Sequence, residues 1–338
     1  MILQPKSSPS RRDVPAVLST APKATVPAWL RHAVADAQNL VSKEVEDVAV
    51  TVGAAIGALD AVVRRQERWT GAWRQRLALT AAAVTAKQAG RVEDESALRD
   101  AVLLTKPGDD VGPAGRMLLA WRWLAARPVG DLLSEKTLAA MLEEFGHVFD
   151  DETVHDLAGE LRQLSTNCGT VGLLNGAFMA AERRSYGRAV GAWLADTLLA
   201  QRLGWMYAVP LLGTEARLGM NPDRPGRSVT PTLAASIEAE SDRIKGLLAG
   251  QARTVLRAID LSAEFERRAD RLLAVTPRLR AKAAGAVVER LLSDDAMIAS
   301  EKITGISDRG LRRLFDRLVN LSAVRELSGR PTFRIYGL

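Results

Sequence analysis

From Val26 almost to its end the chain keeps to one spacing. Apolar residues return every three or four positions, Ala and Leu supply most of them, and β-branched runs stay short. A segment with that period buries one stripe of a helix and offers no alternating face for a sheet. The spacing predicts helices over about residues 27–44, 46–67, 70–90, 94–104, 113–126, 134–146, 152–165, 170–183 and 187–207, then over about 232–249, 251–274 and 278–293. No strand is expected before the final stretch, so the fold class is mainly α: a multi-helical body closed by one short β-hairpin. With 338 residues and 47% hydrophobic content, the chain can bury one large core or two medium ones. Trp69 and Trp73 lie one turn apart, and Trp121 and Trp123 sit close together on a later helix; they are read as core pillars. Gly53 and Gly57, four apart in an Ala-rich helix, are expected to let a second backbone come close.

Turn and breaker residues divide this helical run. Residues 1–25 are rich in Pro, Ser, Lys and Arg and lack a hydrophobic period, which predicts a disordered basic arm. Residues 26–212 form the helical body. Residues 213–231 are dense in Gly and Pro around Asn221-Pro222-Asp223-Arg224-Pro225-Gly226-Arg227, which predicts a loop or linker. A further helical segment covers 232–275, and 276–338 form a C-terminal unit.

That unit carries the clearest functional pattern. Ala296 to Lys302 reads as a short helix, Thr304-Gly305-Ile306-Ser307 as a turn, and Asp308 to Leu321 as a second helix with Leu311, Leu314, Phe315, Leu318, Val319 and Leu321 along one stripe. Gly305 can take a positive φ, and Ser307 can cap the helix that follows. Val324 to Leu327 and Thr332 to Tyr336 are β-prone runs bridged by Ser328-Gly329-Arg330-Pro331, the pattern of a hairpin. Arg309, Arg312, Arg313 and Arg317 lie off the apolar stripe, and Arg330 and Arg334 lie on the hairpin. The stretch resembles a winged helix-turn-helix, in particular the winged-helix tails attached to some Fic-type proteins. The resemblance implies that the second helix enters the major groove of double-stranded DNA while the hairpin follows the adjacent backbone.

Charge agrees with a partner for that end of the chain. Residues 1–31 hold five Lys and Arg against one Asp, and residues 276–338 hold twelve against seven Asp and Glu. With a total of +6, the middle is left at −3. A basic end on a mildly acidic body points to an anionic partner, nucleic acid first and an acidic membrane surface second. The single Cys168 excludes an intrachain disulfide, fits a reducing compartment, and reads as a small buried residue. No run reaches the roughly 20 apolar residues of a membrane span, and no signal-peptide pattern is present. The expectation is a cytoplasmic protein without membrane partners.

Two stretches of the body suggest chemistry. Lys106 to Arg116 places Asp109 and Asp110 before a helix opened by Pro113, with Arg116 one turn inside; a capped, ion-paired turn is expected, and a ligand or catalytic site is the alternative. His147-Val148-Phe149-Asp150-Asp151 matches the opening of the Fic catalytic loop, but Glu152-Thr153-Val154-His155 stands where that loop needs glycines and an arginine to hold phosphates. A loop between helices explains it, and no second set of ligands supports a metal site. Arg74, Arg76, Arg183 and Arg184 are expected to be solvated or salt-bridged. No nucleotide-binding loop, serine elbow or paired-cysteine motif occurs, and no cofactor or metal is implied.

Gly57-Ala58-Leu59-Asp60, Trp73-Arg74-Gln75-Arg76-Leu77-Ala78-Leu79, Pro107-Gly108-Asp109-Asp110, Gly112-Pro113-Ala114-Gly115-Arg116, Trp193-Leu194-Ala195-Asp196, Leu199-Ala200-Gln201-Arg202-Leu203 and Arg334-Ile335-Tyr336-Gly337-Leu338 together resemble an uncharacterised family of α-proteobacterial proteins, a domain of unknown function common in rhizobia. The resemblance covers nearly the whole chain after the arm and implies a bacterial protein without supplying an activity. The leading expectation is a DNA-binding protein, a transcriptional regulator or plasmid-associated factor, whose body forms a homodimer or senses a small-molecule ligand. The alternatives are a non-DNA interaction protein with a structural wing and an enzyme centred on Asp109, Asp110 and Arg116.

Overall fold

The computed structural model describes residues 26–35, 40, 42–106, 108–216, 233–279, 283–330 and 332–338. The expected arm, residues 1–25, and most of the expected linker lie outside them. The described chain is mainly helical, with a small three-stranded antiparallel sheet. The helices are α1 (Ala28–Ala35), α2 (Val45–Arg64), α3 (Thr70–Gln88), α4 (Glu95–Leu103), α5 (Gly112–Ala126), α6 (Val129–Leu132), α7 (Glu135–Glu144), α8 (Asp151–Asn167), α9 (Thr170–Arg183), α10 (Gly187–Arg202), α11 (Leu233–Val275), α12 (Ala284–Ser293) and α13 (Asp308–Asn320). The strands are β1 (Met297–Ile298), β2 (Arg325–Glu326) and β3 (Ile335–Gly337).

Local signals set most boundaries. Asp94, Ser134, Asp150 and Ser307 each accept a backbone N–H three residues on, the N-cap bond that halts chain fraying at α4, α7, α8 and α13. At the far end of α10, Gly204 takes φ +66°, Gly204 N–H donates to Gln201 O and Trp205 N–H to Ala200 O. That Schellman closure turns the chain back along the body.

Packing is organised by α3 and α10. Residues Val190 to Ala200 of α10 are buried on every side, so this helix runs through the core rather than along it. It packs chiefly against α9, while α3 lies against α5, and α11 against α2. Trp73, Trp121 and Trp193 are fully buried, and each finds an acceptor for its indole N–H: Ala258 O at 3.0 Å, Thr85 Oγ1 at 2.9 Å and Ala120 O at 3.1 Å. Trp69 meets Trp73 edge-on.

Several expectations are corrected. The two helices expected over about 232–249 and 251–274 are one helix, α11, described from Leu233 to Val275, because the buried stripe Leu248, Ala252, Val255, Ile259, Phe265 and Leu272 outweighs the roughly 1 kcal/mol that Gly250 costs. The helix expected over Ala296 to Lys302 is not formed: Met297 and Ile298 pair with Tyr336 and Ile335 as β1, and the sheet order is β1-β3-β2. A pairing made nearly forty residues away overrides the local preference of a short apolar run. The expected linker begins as part of the core, since Leu212, Gly213, Thr214 and Glu215 are buried and a Cβ at Gly213 would stand 2.2 Å from the Trp121 ring. A Cβ at Gly53 or Gly57 would meet nothing within 4 Å, so no backbone approaches them among the described residues. Cys168 is half-buried.

Candidate nucleic-acid interface

The C-terminal unit is built on α12 and α13. Val287, Val288, Leu291 and Leu292 of α12 and Leu311, Leu314, Phe315 and Leu318 of α13 are buried, and Tyr336 of β3 stacks on Phe315 with ring centroids 4.2 Å apart and an interplanar angle of 4°. Gly305 takes φ +91° in the turn before α13, and Ser307 Oγ accepts Gly310 N–H at 3.2 Å. At 100° per residue the four arginines of α13 fall within an arc of about 140° opposite the apolar stripe. All four are exposed.

Their surroundings differ. Arg309, Arg312 and Arg313 make no side-chain hydrogen bond or ion pair among the described residues, and Arg312 lines a cleft of about 390 Å³ with Asp316, Phe333, Arg334 and Tyr336. Arg317 donates to Arg278 O at 3.0 Å. The hairpin arginines are paired: Arg330 lies 2.6 Å from Asp100 of α4, and Arg334 reaches Asp316 and Glu326 at 3.4 and 3.7 Å. The hairpin instead exposes Phe333, whose φ of +57° turns it outward at 66% exposure. Of the six arginines expected to meet DNA, three are unencumbered and share one helix face.

The unit is fixed to the body by a buried charge cluster that spacing along the sequence does not reveal. Asp295, between α12 and β1, is 1% exposed and accepts from Arg76 Nε of α3 and from Arg99 Nε of α4, the latter at 2.7 Å. Burial alone would raise its carboxyl pKa; the two guanidinium groups prevail and hold it below the ordinary value. Arg122 of α5 shares their field, and burial lowers its pKa while its Nε has no partner among the described residues. Gly71 permits the fit, since a Cβ there would stand 2.7 Å from Ser293 O. The one available signal was an arginine beside strongly apolar helical positions, as in Leu98-Arg99 and Trp121-Arg122-Trp123. Arg76 is thus salt-bridged as expected, whereas Arg74 forms no salt bridge among the described residues: it is half-buried, and its Nε donates to Ala125 O at 2.9 Å.

The two body stretches act locally. Asp110 accepts Gly112 N–H at 2.9 Å, and Pro113 sits in the first turn of α5. Arg116, expected to pair with Asp109 or Asp110, crosses instead to Glu143 and Glu144 of α7 at 3.4 and 3.2 Å, partners that local spacing does not reveal. Asp150 caps α8, and His155 is 2.8 Å from Glu135. His147 follows Gly146, where φ is +78°, and lies against the Tyr186 ring at 5.0 Å in the wall of a cavity of about 700 Å³. Burial lowers its pKa. Among the described residues no three His, Cys, Asp or Glu side chains converge to hold a metal ion. No described helix is long and apolar enough to cross a membrane.

The family model described as "Protein of unknown function (DUF1403)" matches residues 16–338. The chain belongs to that family. In this DUF1403 chain one match runs through the body and the C-terminal unit together, in keeping with their shared buried cluster. Comparison with curated proteins finds no match.

Proposed function

We propose that this chain is a DNA-binding protein in which α12, α13 and the β2–β3 hairpin act as a winged helix-turn-helix, with α13 entering the major groove. The observation that carries the reading is the face of α13: Arg309, Arg312 and Arg313 are exposed and unpaired on a helix whose other face is anchored by Leu311, Leu314, Phe315 and Leu318. Unpaired guanidinium groups on a fixed helix suit phosphate oxygens or guanine O6 and N7. The sheet order β1-β3-β2 and the hairpin after α13 fit a wing. The stretch between β1 and α13 departs from the pattern, because residues 299–307 are irregular where a helix would precede the turn. The finer reading, a bacterial cytoplasmic regulator or plasmid-associated factor acting as a dimer on two half-sites, follows from the same helix if two copies present it together.

Fluorescence anisotropy with a genomic duplex library at several salt concentrations tests this. Each phosphate contact steepens the fall of log affinity with log salt by about 0.9 per contact. Arg313→Ala should flatten the slope by about one contact if Arg313 meets a phosphate, or cost about 1–3 kcal/mol of discrimination at one base pair if it reads guanine. No binding at low salt by folded protein rejects the proposal. It would favour a second reading, an interaction protein whose wing is structural, which the Arg330–Asp100 pair and the Asp295 cluster support.

A further inference from the structure

Arg74 occupies an unusual place for a charged side chain. It sits on α3 between the buried residues Trp73 and Gln75, its Nε is used by Ala125 O, and its guanidinium carbon lies 4.5 Å from the centre of the Tyr207 ring. No carboxylate pairs with it and its terminal amino groups have no hydrogen bond among the described residues. Burial accordingly pushes its pKa down to about 10, which still leaves it charged at neutral pH. A half-buried cation without a counter-charge leaves a place for an anion from solution.

What it faces is a cavity of about 370 Å³ between the α2–α3 junction and residues 204–207. The sequence builds the walls locally. The Schellman closure at Gly204 brings Trp205, Met206 and Tyr207 back between α2 and α6: Trp205 Nε1 donates to Asp60 of α2 at 2.8 Å, and Met206 O accepts Val129 N–H of α6 at 3.0 Å. Val63, Trp205 and Met206 supply the apolar part of a lining that is otherwise polar. Gln66 lines it with a φ of +47°, a left-handed conformation that a side chain adopts only when its surroundings hold it there. The other lining arginine, Arg64, is engaged with Asp60 at 2.7 Å and with Leu203 O at 2.7 Å. One unspent guanidinium therefore remains, with the Gln66 amide as a further polar group and no acidic side chain in the lining; the Thr70 hydroxyl is spent on Glu67 O at 2.8 Å.

We propose that this cavity binds a small monocarboxylate with an apolar body, its carboxylate forked by Arg74 and its apolar part lying against Val63, Trp205 and Met206. A planar guanidinium matches a carboxylate through two parallel bonds. A single unspent cation balances one negative charge and leaves a multiply charged, strongly hydrated anion such as phosphate uncompensated. The site lies on the body and does not depend on the α13 face.

Isothermal titration of the full chain with phenylacetate, phenylacetamide and inorganic phosphate tests the assignment. Phenylacetate should bind saturably with a Kd of about 1 mM or tighter, the range open to one bidentate pair with a few apolar contacts. Phenylacetamide and phosphate should bind at least about tenfold more weakly. Arg74→Lys keeps the charge without the fork and should weaken phenylacetate about tenfold; Arg74→Met should abolish binding. Should Arg74→Met not fold, Met206→Trp fills the cavity from an exposed position and should abolish binding with the body intact. Absence of saturable phenylacetate binding, equal binding of the amide, tighter binding of phosphate, or undiminished binding by folded Arg74→Met or Met206→Trp each overturns the proposal.

Discussion

Asp196 and Asp295 are both buried carboxylates, and their neighbours drive them in opposite directions. Asp295 faces guanidinium groups and stays ionised. Asp196, fully enclosed in α10, receives among the described residues only backbone N–H groups, those of Leu211 and Leu212 at 2.8 and 3.0 Å included. Burial prevails over those bonds and pushes its pKa up to about 7. An acid whose folded pKa lies above its unfolded value keeps its proton in the folded state while the unfolded chain has lost it. Stability therefore falls as pH rises from about 4 to about 7, by an amount on the order of a few kcal/mol. Asp196→Asn cannot ionise, and it turns an amide N–H toward a backbone donor, which should cost about 1–3 kcal/mol at pH 4. The difference in unfolding free energy between wild type and variant should then shrink as pH approaches 8, read from urea titrations at several pH values. A difference that does not vary with pH would remove Asp196 as the titrating group.

At the scale of elements, what was legible in the sequence was what neighbours along the chain decide. The cap at Ser307, the proline opening α5 and the helical period all act within a turn or two, and most of the helices of the body stand close to where they predict. Pairings that close over long separations were not legible. β1 exists because Tyr336 and Ile335 arrive beside it, and the Arg76 and Arg99 partners of Asp295 lie 219 and 196 residues away in the chain. The arginine face of α13 was readable from spacing, but the ion pairs of Arg330 and Arg334 were not, since they depend on what the hairpin touches. Gly53 and Gly57 illustrate the same limit: their spacing suggested a close helix contact, yet both are exposed with open space around them. They should then only weaken α2 through backbone entropy. Gly53→Ala and Gly57→Ala should each stabilise the protein by about 0.5–1 kcal/mol in chemical denaturation. Destabilisation by either would mean that a partner packs closely on that face of α2.

For the whole molecule, the decisive question is whether the C-terminal unit moves as a tethered head or unfolds with the body. A flexible tether would leave exposed, water-facing contacts between the two. Asp295 is instead enclosed, with Arg76 and Arg99 from two body helices on its oxygens, Ser293 pressed on Gly71 and Arg330 closing on Asp100. Taking away one partner of such a cluster leaves uncompensated charge in a dry site, which costs about 3–5 kcal/mol. Asp295→Asn keeps the shape and removes the charge. The wild type should therefore unfold in one cooperative transition, with amide exchange in α12 and α13 protected to the same level as in α3, while Asp295→Asn should lower stability by about that amount and release α12 and α13 to faster exchange first. The effect carries a pH sign of its own. Because Asp295 is held below its ordinary pKa, its contribution is complete above about pH 4 and is lost as pH falls below that value, so the wild type should converge on the variant only in acid. Two separate transitions in the wild type, or an unchanged variant, would instead describe a head that rides freely on its body, and duplex DNA bound at α13 could then stabilise the head alone rather than the entire chain.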